Sequence, residues 1–221
     1  MSDLAGRLGA VWERIEAAGG SRDTVQLVAV TKGHGVDVVR AALAAGLVDL
    51  GENYAQDLVA KADEVASGGV DVRWHFIGHI QRNKVKALAP LVHLWHGVDR
   101  ASVGAEIARR APGGRVLVQV NVSGEATKAG CAPDELSELL DALRGDGLDV
   151  RGLMTIAPAG DREASLRAFE DLRKLRDSHA LVELSMGMSE DLDLAVAQGA
   201  SMVRVGSALF GPRPGPAGVE H

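Results

Sequence analysis

Eight times along this chain a short apolar run gives way to a segment with helical spacing. The apolar runs fall at 27–32, 47–50, 72–77, 92–98, 116–122, 150–156, 182–184 and 202–205. Between them apolar residues recur every three or four positions, as at Leu166, Phe169, Leu172 and Leu175, and glycines such as Gly46, Gly145 and Gly199 close the segments. The spacing predicts helices over 2–19, 36–45, 55–66, 81–88, 101–110, 133–145, 162–178 and 189–199, with Asp99 and Ser189 as N-caps of the segments that follow them. A continuous apolar run reads as a strand buried on both faces, which a parallel sheet flanked by helices requires. The alternation therefore predicts an α/β protein. Eight units within 221 residues suit a closed (β/α)8 TIM-type barrel better than an open doubly wound sheet, which stands as the alternative. No linker divides the chain, so 1–221 reads as one domain, with an irregular tail from about residue 212, where Pro212 and Pro214 break regular structure.

Composition narrows the function classes. A net charge of −6 argues against a general nucleic-acid surface, and 3% aromatic residues leave little to stack single strands on. No apolar run approaches the ~20 residues of a membrane span, and the N-terminus lacks a signal-peptide pattern. Cys131 is the only cysteine, so no intramolecular disulfide can form, which fits a cytoplasmic protein. Cys131 itself reads as a structural thiol, and Trp12, Trp74 and Trp95 read as core or core-edge residues.

In a barrel of this kind function collects at the carboxyl ends of the strands. Those positions hold Lys32, Asn53, His79, Asn121, Ser123, Thr155, Ser185, Gly187, Gly206 and Ser207, with His75, His96 and Arg204 inside strands. Lys32 ends the run Leu27-Val28-Ala29-Val30-Thr31. Partial burial there removes hydration from the ammonium and lowers its pKa from about 10.4. A lysine that is neutral part of the time can attack a carbonyl and form a Schiff base. A lysine reaching out to solvent is the plainer reading of that residue alone. The turns Ser185-Met186-Gly187-Met188-Ser189 and Val205-Gly206-Ser207-Ala208 combine hydroxyls with glycine at strand-to-helix junctions. Such turns expose backbone amides to an anion, and loops after the last two barrel strands are a recurrent phosphate site. Neither has the lysine of a Walker motif, which argues against a nucleoside triphosphate. Arg204 is a charge within Met202-Val203-Arg204-Val205 and needs a partner, either a carboxylate such as Glu52 or Asp99 or a ligand acceptor in the barrel mouth. His75 and His79 lie four apart on an extended segment with no third ligand at suitable spacing, which argues against zinc. Lysine, phosphate turns and arginine on one rim point to pyridoxal phosphate. A Schiff-base aldolase acting on a phosphorylated sugar would need a similar lysine and phosphate site.

The segments Ala29-Val30-Thr31-Lys32, Gly51-Glu52-Asn53-Tyr54, Trp74-His75-Phe76-Ile77-Gly78 with Gln81 and Asn83-Lys84, and Asn121-Val122-Ser123 with Lys128 and Gly130 occur in one order. Arg151-Gly152-Leu153-Met154, Leu184-Ser185-Met186-Gly187-Met188-Ser189 and Val203-Arg204-Val205-Gly206 with Phe210-Gly211 follow. In this combination the chain resembles the YggS/PROSC family of pyridoxal phosphate homeostasis proteins, related to the N-terminal barrel of alanine racemase. The resemblance implies that Lys32 carries pyridoxal 5'-phosphate as a Schiff base. It implies that Ser185, Gly206 and Ser207 hold the phosphate, that Arg204 faces the pyridine nitrogen, and that Asn53, Met154 and His75 lie at the ring. Gly33-His34-Gly35 and Gly78-His79-Ile80 depart from the family pattern, which bears on loop shape at the rim. An arginine keeps its proton and favours an unprotonated ring nitrogen, which weakens the ring as an electron sink. Racemization needs a second acid–base group opposite the lysine. In alanine racemase a C-terminal domain looks to supply it, whereas only about ten residues follow Gly211 here, and Tyr54 suits turn packing better than catalysis. The expectation is a monomeric, non-enzymatic carrier of pyridoxal phosphate that exchanges it with apo-enzymes. A weak amino-acid racemase and the aldolase are the alternatives.

Overall fold

The computed structural model describes residues 4–69, 71–125 and 128–212. The tail expected from about residue 212 lies, apart from Pro212, outside the described residues. Eight parallel strands run in sequence order: β1 (Gln26–Val30), β2 (Asp49–Glu52), β3 (Arg73–Phe76), β4 (Val92–Val98), β5 (Arg115–Gln119), β6 (Asp149–Met154), β7 (Glu183–Ser185) and β8 (Met202–Val205). Pairing of β8 with β1, from Gln26 opposite Met202 to Ala29 opposite Val205, closes the barrel. The helices are α1 (Leu4–Ala17), α2 (Val36–Ala44), α3 (Ala55–Val65), α4 (Arg82–Leu88), α5 (Ala101–Arg110), α6 (Leu136–Gly145), α7 (Arg162–Ser178), α8 (Leu192–Ala197) and α9 (Ser207–Phe210). The open doubly wound sheet is thereby set aside, and the (β/α)8 barrel is the fold.

Where local signals agree, sequence and structure coincide. Asp161 accepts the Ala164 N–H at 2.9 Å and starts α7, which buries Ser165, Ala168, Phe169 and Leu172 on one face. Three expectations need correction. The second strand spans Asp49–Glu52 rather than 47–50. Its two carboxylates are buried because Arg73 and His75 reach Asp49, while Lys61 reaches Glu52. Asp99 is not the cap of α5: Arg100 occupies that position and makes no side-chain capping bond, and Asp99 accepts from the Arg100 guanidinium. Ser189 does not cap α8, whose cap residue is Asp191. Its Oγ instead accepts the Ala208 N–H of α9 at 3.2 Å.

Side chains of a strand alternate between the two faces of the sheet. The outward set, including Leu50, Trp74, Phe76, Trp95, Val118, Leu153, Leu184 and Val203, packs with Trp12, Ile107, Leu140 and Phe169 of the helices in one continuous apolar layer. Full burial of each large apolar side chain there stabilises the fold by about 1.5–3 kcal/mol. The inward set is different. Leu94, Leu117, Met154 and Met202 form a separate small apolar cluster, and their inward neighbours are polar: Asp49, His75, His96, Gln119, Ser185 and Arg204. No helix among the described residues is long and apolar enough to cross a membrane.

Candidate functional site

The mouth of the barrel opens into a cavity of about 650 Å³. Lys32, Asn53, Arg204, Gly206 and Ser207 all line it, together with the loops after β6 and β7. Five of the eight residues expected at the site thus share one cavity wall. Ser185 is fully buried beneath it and hydrogen-bonds Arg204. Met154 and His75 are also fully buried and are not among the lining residues: Met154 belongs to the inner apolar cluster, and His75 lies in the polar interior.

Lys32 is presented by a fixed backbone. The preceding Thr31 donates its N–H to the Gly51 carbonyl at 3.0 Å and its hydroxyl to Glu52 Oε1 at 2.7 Å. The Thr31 carbonyl accepts from Lys61 Nζ at 2.8 Å, and Lys61 also pairs with Glu52. A buried ion pair between the sheet and α3 therefore clamps the residue next to Lys32. Asn53 follows the same Glu52, and its side-chain oxygen is buried without a hydrogen-bond partner. A buried amide oxygen without a partner, on a residue that lines the cavity, is suited to a ligand donor.

Arg204 is buried, and neither Glu52 nor Asp99 is its partner, contrary to the carboxylate expectation. It donates to Ser185 Oγ at 2.7 Å and to the Thr155 carbonyl at 2.8 Å. Burial pulls its pKa down to about 10, with the Asp191 charge acting the other way, so it stays cationic at neutral pH. An arginine held by neutral acceptors keeps a positive potential at the cavity floor.

The loop after β7 is built to hold its shape. Gly187 has φ of +86°, a conformation natural to glycine. Arg14 of α1 donates to the Ser189 carbonyl at 2.7 Å, Arg162 of α7 to that of Glu190 at 3.3 Å, and both reach Asp193. At Gly206 a Cβ would lie 3.2 Å from the Val30 carbonyl, so the β8 turn packs tightly against the end of β1, two residues before Lys32.

Of the rim residues, His79 is half-exposed at 3.7 Å from Asp99. Tyr54 stands at the head of α3, 59% exposed, instead of packing into its turn. Cys131 is buried, and burial pushes its thiol up to about 12, with Glu135 and Asp99 adding to the effect, so it stays protonated and unreactive. Sequence reasoning noted His96 without placing it in a site, and it missed Asp49. A signal existed: Trp-His recurs in the third and fourth strands as Trp74-His75 and Trp95-His96. Equal phase turns both tryptophans outward and both histidines inward. His96 Nε2 lies 2.9 Å from His75 Nδ1, and His75 Nε2 lies 3.0 Å from Asp49 Oδ1. Burial pulls the His96 pKa well below the usual histidine range, with His75 and Arg204 acting in the same direction. For Asp49 burial acts upward, but hydrogen bonds from Arg73 and His75 outweigh it and hold the carboxyl well below its usual range.

The sequence pattern of the alanine racemase N-terminal domain matches residues 7–214. The pyridoxal phosphate homeostasis protein of Pseudomonas aeruginosa is 44% identical over 225 residues, spanning 96% of this chain and 97% of its own. That of Deinococcus radiodurans is 45% identical over 210 residues, spanning 92% and 97%. The crystal structure of PipY from Synechococcus elongatus with pyridoxal phosphate bound superposes with a TM-score of 0.82 at 33% identity, covering 94% of this chain and all of that one. With its barrel, its lysine at the end of β1 and its arginine in β8, this chain belongs to the family of pyridoxal phosphate homeostasis proteins.

Proposed function

We propose that this chain binds pyridoxal 5'-phosphate in the mouth cavity and serves its homeostasis, with Lys32 as the covalent anchor and without efficient amino-acid turnover. The observation that carries the reading is the joint presence of Lys32, Arg204 and the β8 turn on one cavity, in a chain that matches homeostasis proteins over nearly its whole length. A volume of about 650 Å³ lies within the range of small-molecule sites. The unpartnered Asn53 oxygen fits a guest that carries a hydrogen-bond donor, and a buried arginine hydrogen-bonded to no carboxylate fits one that carries an acceptor. When bound, the cofactor supplies an aldehyde and an electron-withdrawing ring. Lys32 provides the amine that retains the aldehyde. Gly206 and Ser207 face the phosphate end, with the hydroxyl of Ser207 as a donor. Arg204 would offer the ring nitrogen a hydrogen-bond donor and keep its own proton. A donor that keeps its proton would favour an unprotonated ring nitrogen, which would limit electron withdrawal and suit storage better than turnover. Ser185 and Thr155 orient that guanidinium, while Met154 fills the interior below. Release to pyridoxal-dependent apo-enzymes and a place in the cytoplasm belong to the same proposal.

The test is the visible absorption of the purified chain after addition of pyridoxal phosphate and gel filtration, beside Lys32→Ala. A yellow band retained by the parent and lost in the variant is expected. A band in both would move the anchor elsewhere, and a band in neither would remove the reading. Incubation of the loaded protein with L-alanine or L-serine should leave the enantiomer ratio unchanged, and racemization requiring Lys32 would make it an enzyme.

A further inference from the structure

Inside the barrel one row of contacts runs from the mouth to the opposite face. Arg204 Nη1 donates to Ser185 Oγ at 2.7 Å, and Ser185 Oγ lies 2.9 Å from His96 Nδ1. His96 Nε2 lies 2.9 Å from His75 Nδ1, and His75 Nε2 lies 3.0 Å from Asp49 Oδ1. All five side chains are buried, and they come from β8, β7, β4, β3 and β2. At the far end Asp49 also accepts from Gln26 and Arg73, and these three line a second cavity of about 450 Å³.

The ends of the row are chemically unequal. A guanidinium can only donate, and an ionised carboxylate can only accept. Between them lie three contacts, and a hydroxyl and two neutral imidazoles bring three hydrogens. The contact with Asp49 requires the His75 hydrogen on Nε2. His75 Nδ1 is then an acceptor, so His96 must carry its hydrogen on Nε2. His96 Nδ1 is then an acceptor as well, and Ser185 must donate its only hydrogen to it. With both rings neutral, one arrangement satisfies every contact, and all of its bonds donate in the direction from Arg204 to Asp49.

We propose that Asp49, His75 and His96 are positioning residues for Arg204, acting through this one-directional row of hydrogen bonds with both imidazoles neutral and protonated on Nε2. Ser185 spends its hydrogen on His96 and turns only lone pairs toward Arg204, which fixes the guanidinium at the cavity floor. A carboxylate on one face of the barrel thereby sets what the other face presents to a ligand. One extra proton on the imidazoles would reverse the two bonds between His75, His96 and Ser185, leave the bond to Asp49 as it is, and free the Ser185 hydrogen, for which Arg204 has no acceptor. Among the described residues, few charged and titratable groups face the row, with Asp191 acting on Arg204 at the mouth end. His75 meets the His93 ring at a centroid distance of 5.8 Å and faces Arg73 across Asp49, and His96 meets His75 and Arg204. Burial holds His93 and His96 below the usual histidine range.

The positioning of Arg204 toward a bound cofactor rests on the pyridoxal phosphate reading, whereas the proton arrangement does not. Two-bond nitrogen–proton spectra of the unliganded chain, labelled with ¹⁵N in its imidazoles, report the tautomer directly. At neutral pH, His75 and His96 are expected as neutral Nε2–H forms. A charged ring at either position, or an Nδ1–H form, would overturn the proposal whatever the chain binds. The two ends should also respond unequally. Asp49→Ala removes the anchor and should populate Nδ1–H on His96, two hydrogen bonds away. Ser185→Ala, at the near end, should leave the His96 tautomer unchanged. A purely structural row would show no such asymmetry, and equal responses would reject the direction. In the loaded protein Asp49→Ala should weaken cofactor retention about tenfold, the worth of one lost charge-assisted hydrogen bond. Retention equal to the parent would separate Asp49 from Arg204. Expected tautomers with no cofactor bound would instead count against the proposed function alone.

Discussion

The two sides of the same eight strands were built to different rules. Outward, the sheet meets the helices through one continuous apolar layer in which Trp74, Trp95 and Phe169 are among the buried residues. Inward, a small cluster of Leu94, Leu117, Met154 and Met202 shares the space with a row of polar side chains. The outer layer draws its stability from area, which tolerates exchange of one apolar shape for another. The inner row depends on donor and acceptor matching, where each lost partner leaves a buried group unsatisfied. Stability and ligand chemistry are thus carried on opposite faces of one sheet, and substitutions should separate them.

The largest effect is expected in the outer layer. Phe169→Ala should cost about 3–5 kcal/mol in urea unfolding, while the fraction of folded protein that retains pyridoxal phosphate stays that of the parent. A matching loss of ligand would break the separation. Arg204→Met should cost less, about 1–3 kcal/mol for the stranded Ser185 and Thr155 acceptors, and should abolish cofactor retention. Retained cofactor would show that the inner face does not govern binding. The smallest effect is set by pH. The folded pKa of Asp49 is depressed, so its contribution is complete above the unfolded value of about 3.9 and is lost as pH falls from there through the folded value. The urea midpoint of the parent should therefore fall more steeply below about pH 4 than that of Asp49→Asn. Equal slopes would detach Asp49 from the stability of the inner row.

The difference between the faces also explains what could be read from the chain alone. Helical spacing and apolar runs are signatures of the outer layer, and they located β4, β8 and α7 at their observed bounds. Lys32, Asn53, Arg204, Gly206 and Ser207 were legible because a barrel places its strand ends on one rim. The interior was not, because its logic lies in contacts between strands distant in sequence. Ser185 and His96 are 89 positions apart. Asp49 passed as one position of a short apolar run and Glu52 as part of the connection to the next helix, and only the fold shows Arg73, His75 and Lys61 supplying their partners from neighbouring elements. Asp99 and Ser189 misled in the opposite way. Each has good capping chemistry, but Asp99 turns to Arg100 and Ser189 to the amide of Ala208.

Closure of the sheet through the β1–β8 pairing has a consequence for the fate of the folded chain. A ring of strands offers no edge at which another chain could add by main-chain hydrogen bonding. Strand-mediated self-association must therefore wait until the ring opens at one of its seams, of which β1–β8 spans four registered residue pairs and β7–β8 a single one. Aggregation by this route is gated by unfolding of the barrel itself, so the lifetime of the closed ring sets the shelf life of the protein.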